Sequence, residues 1–233
     1  MRILFHFLRQ SFQGLLSRDR QVKMYQAMLQ NVRIFLTLSD ISKYEESLFA
    51  KKRQQVLFQT RLWDPAIEKG DWVDSCNKER IELVRALREG LGEQFVGGLI
   101  FSPYTKNNYP DLLSNLTSTS KCRRPKFIGL SKQFLIRVNI GALFNAIPFS
   151  MGETLAANSC IVSHAVRNSC ASDLVKDKHY LSFETPSECV EQCKYLLSHP
   201  DRAAVLREEA RSYYNAHVRP KESMRLYLNK SME

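Results

Sequence analysis

The sequence predicts an α/β protein with a mainly parallel sheet covered by helices on both faces, preceded by a helical N-terminal segment and ending in C-terminal helices. Three observations lead there. From Gln55 onward, short apolar runs that are continuous rather than alternating are separated by stretches with helical spacing. Before Gln55 the apolar residues recur only at helical spacing. After Thr185 the chain carries helix starts and stops and no further strand pattern. Strands that alternate with helices need crossovers, and crossovers cover both faces of the sheet. With 233 residues, 44% hydrophobic and 25% charged, the chain can bury a full core, which excludes global disorder and suits one domain or one and a half.

Residues 1–54 form the first part. Leu4, Leu8, Phe12 and Leu15, then Met24, Met28, Val32 and Phe35, fall on helical faces, and a further helix is expected around Ile41 to Arg53. Ten Lys/Arg against four Asp/Glu leave this part at +6 of the total +10. A basic amphipathic segment of this kind packs on its own domain, on a partner subunit or on an anionic membrane surface. Its apolar run is broken at His6 and Arg9, too short to span a bilayer and without a small-residue cleavage site. A cytoplasmic protein, peripheral at the membrane at most, is the expectation.

Residues 55–233 form the main domain. Val56-Leu57-Phe58 reads as a buried strand, and a helix follows with Asp74, Ser75 or Asn77 as caps and Ile81, Val84, Leu87 and Leu91 on one face. Phe95 to Phe101 is the next strand, and a helix is expected near Asp111 to Leu116. Phe134 to Ile140, Cys160 to Val162 and Tyr180 to Phe183 complete the strands, with a short helix from Phe149 to Asn158 between two of them. Thr185-Pro186-Ser187-Glu188 is a capping box with proline at the first helical position, and His199-Pro200-Asp201 stops one helix and starts the next.

Much chemistry is excluded at this level. The six cysteines show no C-x-x-C spacing and read as reduced thiols. Cys189 with Cys193, and Cys160 with His164, stand four apart but lack tightly paired ligands, so no metal is expected. No activated-serine motif accompanies His164, His179, His199 or His217, which disfavours hydrolysis. From Leu112 to Gly152 the chain carries Lys121, Arg123, Arg124, Lys126, Lys132 and Arg137 and no acidic residue, an anion-attracting stretch that runs straight into Glu153. Few aromatics interleave with these charges, so nucleic acid is not the expected anion.

Several segments resemble the bacterial group 1 glycosyltransferases, which have two Rossmann-like domains facing across a cleft, the GT-B arrangement. They are Phe58-Gln59-Thr60-Arg61-Leu62-Trp63-Asp64-Pro65, Asn77-Lys78-Glu79-Arg80, Phe95-Val96-Gly97-Gly98, Ile147 to Ala157, Cys160 to Ser163, and His179 to Phe183 with Tyr213-Tyr214 and Arg219-Pro220 in the tail. The resemblance implies that residues 55–233 are the nucleotide-sugar-binding domain of a transferase that adds a sugar to a glycan or cell-surface polymer. The nucleotide-sugar donor is then a substrate, and no cofactor or metal is implied. It also implies that Glu153 receives the donor's ribose hydroxyls. The bottom-up candidates beside it are Arg61, just past a strand end, Lys126, Lys132 and Arg137 in the basic stretch, and Asn139; no catalytic residue is assigned. This chain departs from the family at Asn145, where a second glutamate is usual, and at Ser150, where lysine is frequent. Residues 1–54 are also too few for the usual acceptor domain. The alternative reading is therefore a catalytically inactive glycosyltransferase-like scaffold.

Overall fold

The computed structural model describes residues 41–116, 124–141, 146–168 and 172–230. The first expected helices, before Ile41, lie outside the described residues. Five strands, β1 (Arg53–Thr60), β2 (Phe95–Leu99), β3 (Phe134–Asn139), β4 (Cys160–His164) and β5 (Leu181–Phe183), form one sheet in the order β2-β1-β3-β4-β5. Every neighbouring pair is parallel. The strand order reverses between β1 and β3, a doubly wound pattern with its switch point there.

Alternation along each strand sorts side chains to the two faces. Val56, Phe58, Ile136, Val138, Cys160 and Val162 pack in one core with Ile81, Val84 and Leu87 of α1 (Trp72–Leu91) and Cys189, Cys193 and Leu196 of α5 (Pro186–Ser198). On the other face, Ile161 packs with Met151 and Leu155 of α4 (Phe149–Ala156) and with Tyr44, while Leu57 packs with Phe127 and Leu130 of α3 (Arg124–Ser131). Both faces are covered, which is why the apolar runs are continuous. Arg137 pairs in register with Leu57 and Ile161, so its guanidinium lies on the α3/α4 face, inside the layer.

Beyond α5 the chain continues through α6 (Pro200–Tyr213), a π-helical turn at Tyr214–Val218 and α7 (Pro220–Lys230). Of the cysteines, Cys76, Cys160, Cys189 and Cys193 are free thiols. Burial pushes the Cys160 thiol up to about 12, so it is inert rather than nucleophilic. Among the described residues no helix is long and apolar enough to cross a membrane.

Three local expectations differ. The helix expected over Ile41 to Arg53 is reduced to a 3-10 turn at Ile41–Tyr44, and tertiary bonds hold the residues that follow, beginning with Glu46 N–H donating to Ala156 O at 3.1 Å. Glu45 accepts from Tyr214 Oη at 3.0 Å and from Arg219 Nη2 at 2.6 Å, and Lys52 is drawn inward. The helix expected near Asp111 to Leu116 is reduced to a 3-10 turn at Pro110–Leu112, and the α-helix of this stretch lies before it, as α2 (Pro103–Asn108), where Ser102 accepts from Thr105 N at 3.0 Å and Pro103 takes the first position. Asn77 does not cap α1. It clamps the loop after β1, accepting from Trp63 N at 2.9 Å and donating to Trp63 O at 2.7 Å.

The C-terminal end of α4 is held by cations. Arg211 donates to Ala156 O at 3.1 Å, Lys52 to Ala157 O at 2.7 Å and Arg207 to Asn158 O at 3.0 Å, where the helix dipole is negative. Lys52 is 7% exposed, and burial pulls its pKa from 10.5 down to about 8. The unfolded chain therefore binds more protons than the folded one between about pH 8 and 10.5, and stability from this group rises with pH across that window. Denaturant melts of the wild type and Lys52→Met at pH 7.5 and pH 10 are expected to show a gain of ~2 kcal/mol in the wild type that the variant lacks. Equal pH dependence in the two proteins would contradict this.

Candidate functional site

A cavity of about 500 Å³ opens at the C-terminal ends of β1 and β3. Its walls come from Leu57 to Arg61 on and after β1, from Arg137 to Gly141 on and after β3, and from Pro148, Phe149, Ser150 and Glu153 at α4; Tyr44, Arg80, Ile100 and Phe127 complete it. This is the switch point, where open α/β sheets leave a crevice for ligands because flanking crossovers depart to opposite faces.

Arg137 is 5% exposed. Its Nη2 lies 3.7 Å from Glu153 Oε2, and its Nη1 has no hydrogen-bond partner among the described residues. Burial draws the guanidinium pKa below its ordinary value, and the Glu153 carboxylate pulls it back up. A buried donor without an acceptor costs about 1–3 kcal/mol, a cost that a ligand oxygen could remove.

The start of α4 adds to this. Its N-cap is Pro148, whose side chain offers no acceptor to the first-turn N–H groups, and this positive end of the helix lines the cavity. Asn139 fixes that helix against β3, donating from Nδ2 to Thr154 Oγ1 at 3.3 Å, and Thr154 in turn donates to Ser150 O at 2.7 Å. Glu153 is the fifth residue of α4, beyond its first turn, and its carboxylate lies beside Arg137.

Of the residues singled out from sequence, Arg61, Arg137, Asn139 and Glu153 meet at the cavity. Arg61 is exposed at the rim, and Asp64, which could have braced it, accepts from Ala66 N instead. Lys132 is not brought there: it lies between α3 and the start of β3, at the opposite end of the strands, and its carbonyl receives Lys52 Nζ. The Lys126 side chain and Asn145 lie outside the described residues.

Sequence reasoning missed Arg80 and His164. Arg80 lines the cavity, donates to Arg61 O and places its guanidinium 5.9 Å from the Trp63 ring centre. Its position within Asn77 to Arg80 was the available signal. His164, at the end of β4, lines a second cavity of about 260 Å³ together with Glu79, Arg167 and Glu184; Gly141 and Pro148 line both cavities. Among the described residues, no three His, Cys, Asp or Glu side chains gather where they could hold a metal ion.

The C-terminal domain of LpcC, a glycosyl transferase group 1 family protein from Francisella tularensis, matches this chain with a TM-score of 0.53 over 78% of its length and 100% of that domain, at 8% identity. The chain has the fold of that glycosyltransferase domain. TarM also matches, at a TM-score of 0.47 and 12% identity, over 78% of this chain and 36% of TarM. No protein-family model and no curated protein matches the sequence. The β1/β3 crevice is the candidate site on the geometry described above, and its chemistry rests on Arg137, Glu153 and the start of α4.

Proposed function

We propose that the chain is the donor-binding half of a glycosyltransferase and holds a nucleotide-sugar in the switch-point cavity. The observation that carries this reading is the unpartnered Nη1 of buried Arg137, which lines the same cavity as the start of α4. A diphosphate supplies acceptor oxygens and negative charge, and a guanidinium donor beside a helix N-terminus is suited to both. When the glycosyl bond breaks, negative charge grows on that diphosphate. Donors already in place there would stabilise the leaving group without having to reorganise. Arg61 at the rim adds long-range attraction. Glu153, beside Arg137 in the same cavity, offers a carboxylate to ribose hydroxyl protons.

The second reading, a scaffold without transfer activity, is favoured by the Arg137–Glu153 pair itself, which also serves as an internal brace. A thermal-shift series with uridine, guanosine and adenosine diphosphates and their sugar conjugates separates the two. At about 100 times its Kd a ligand adds roughly 2.7 kcal/mol, or about 5–10 °C in a domain of this size. A rise with one nucleotide series is the expected outcome; no rise with any of them would favour the scaffold.

A further inference from the structure

His164 has no part in the donor reading, yet it touches the wall between the two cavities. Gly141 N–H donates to His164 Nδ1 at 3.4 Å, so that nitrogen carries no proton. The other ring nitrogen, Nε2, lies 3.2 Å from Glu79 Oε1 on α1, and the ring packs against Phe183 with centres 4.5 Å apart. Only the neutral ring with its hydrogen on Nε2 satisfies both neighbours. The charged groups around it are Lys78, Glu79 and Glu82 on α1, Glu184 after β5, and Arg167 after β4, the last two paired with each other at 3.7 Å. Protonation would place a second hydrogen on Nδ1, facing the Gly141 N–H. Two donors cannot bond, so Gly141 would be released while Glu79 would hold the cationic ring more strongly.

We infer that His164 is a positioning residue: its neutral ring holds the Gly141 backbone, the wall shared by the two cavities, and its protonation weakens ligand binding at the switch point. The ligand half of this rests on the donor reading; the ring's bond to Gly141 does not.

The test has two arms on the full chain. Long-range proton–nitrogen NMR is expected to show His164 as the Nε2–H tautomer at pH 8. It should also show a Gly141 amide shift that follows the ring's protonation as the pH is lowered from 8 to 5. An Nδ1–H tautomer, or a Gly141 amide indifferent to the ring, would overturn the inference. In the second arm, uridine and guanosine diphosphate are titrated across the same interval. His164→Asn keeps an acceptor near the position of Nδ1 and does not titrate. Wild type is expected to lose about fivefold more affinity than this variant on going to pH 5, the value of one lost hydrogen bond. His164→Phe, which keeps the ring contact with Phe183 and lacks the acceptor, should bind weakly at every pH. Equal pH profiles for wild type and His164→Asn would also overturn the inference. If neither nucleotide binds wild type, the donor reading fails, and the NMR arm alone decides whether His164 positions Gly141.

Discussion

Glu153→Gln is expected to lower stability by about 3 kcal/mol and to weaken nucleoside diphosphate binding roughly 10- to 150-fold. The stability loss follows from burial. Glu153 and Arg137 are 7% and 5% exposed, and removing one member of a buried pair leaves the other uncompensated. A guanidinium cannot escape by losing its proton, so the full cost falls on the folded state. The affinity loss follows only if the carboxylate also accepts ribose hydroxyl protons, where a charge-assisted bond contributes about 1.5–3 kcal/mol. Calorimetric titration beside a denaturant melt separates the two effects. A lower melt midpoint with unchanged affinity would reduce Glu153 to an internal brace and remove it from the donor site.

Gly97→Ala is expected to be worse for the fold, on the order of 4 kcal/mol or more, enough to leave little folded protein. Gly97 sits in β2 at φ +122°, a conformation that side chains rarely adopt. A Cβ there would lie 1.9 Å from Phe58 O, in the backbone of the paired strand β1, where nothing flexible can give way. Its amide also donates to Asn115 Oδ1 at 2.9 Å, so the strand cannot shift without losing that bond. Gly92, at φ +52° and ψ −123° with open space around its α-carbon, is the control: alanine there meets only the backbone preference and should cost about 1–3 kcal/mol. Soluble yield and urea midpoints of both variants check this. A Gly97→Ala protein as stable as Gly92→Ala would mean that β2 does not approach β1 so closely.

The strands were legible because burial on both faces leaves continuous apolar runs, and Val56 to Phe58 and Phe134 to Asn139 needed nothing else. The site was only partly legible. Lys132 and Arg137 belong to one basic stretch, but the strand that begins between them carries the chain about 16 Å along the sheet, toward the opposite ends of the strands. Charge counted along the sequence cannot see that separation. Arg80 and His164 come from α1 and β4 and meet the cavities only through the sheet order, so no local pattern announces them. The failed helix over Ile41 to Arg53 has a similar cause. Its spacing is helical, yet buried Tyr44, the Glu45–Arg219 pair and the inward Lys52 outweigh local preference.

The most direct test of donor binding at the switch point is titration of the full chain, wild type and Arg137→Met, with uridine, guanosine and adenosine diphosphates in parallel, each protein first shown folded by its melt. Methionine fills much of the same space and removes both the cation and its unpartnered donor. Binding of at least one nucleotide to wild type at one site per chain, weakened at least about 10-fold in the variant, is expected from the loss of a charge-assisted contact. Binding of equal strength to both proteins, or no binding to wild type at all, would contradict it.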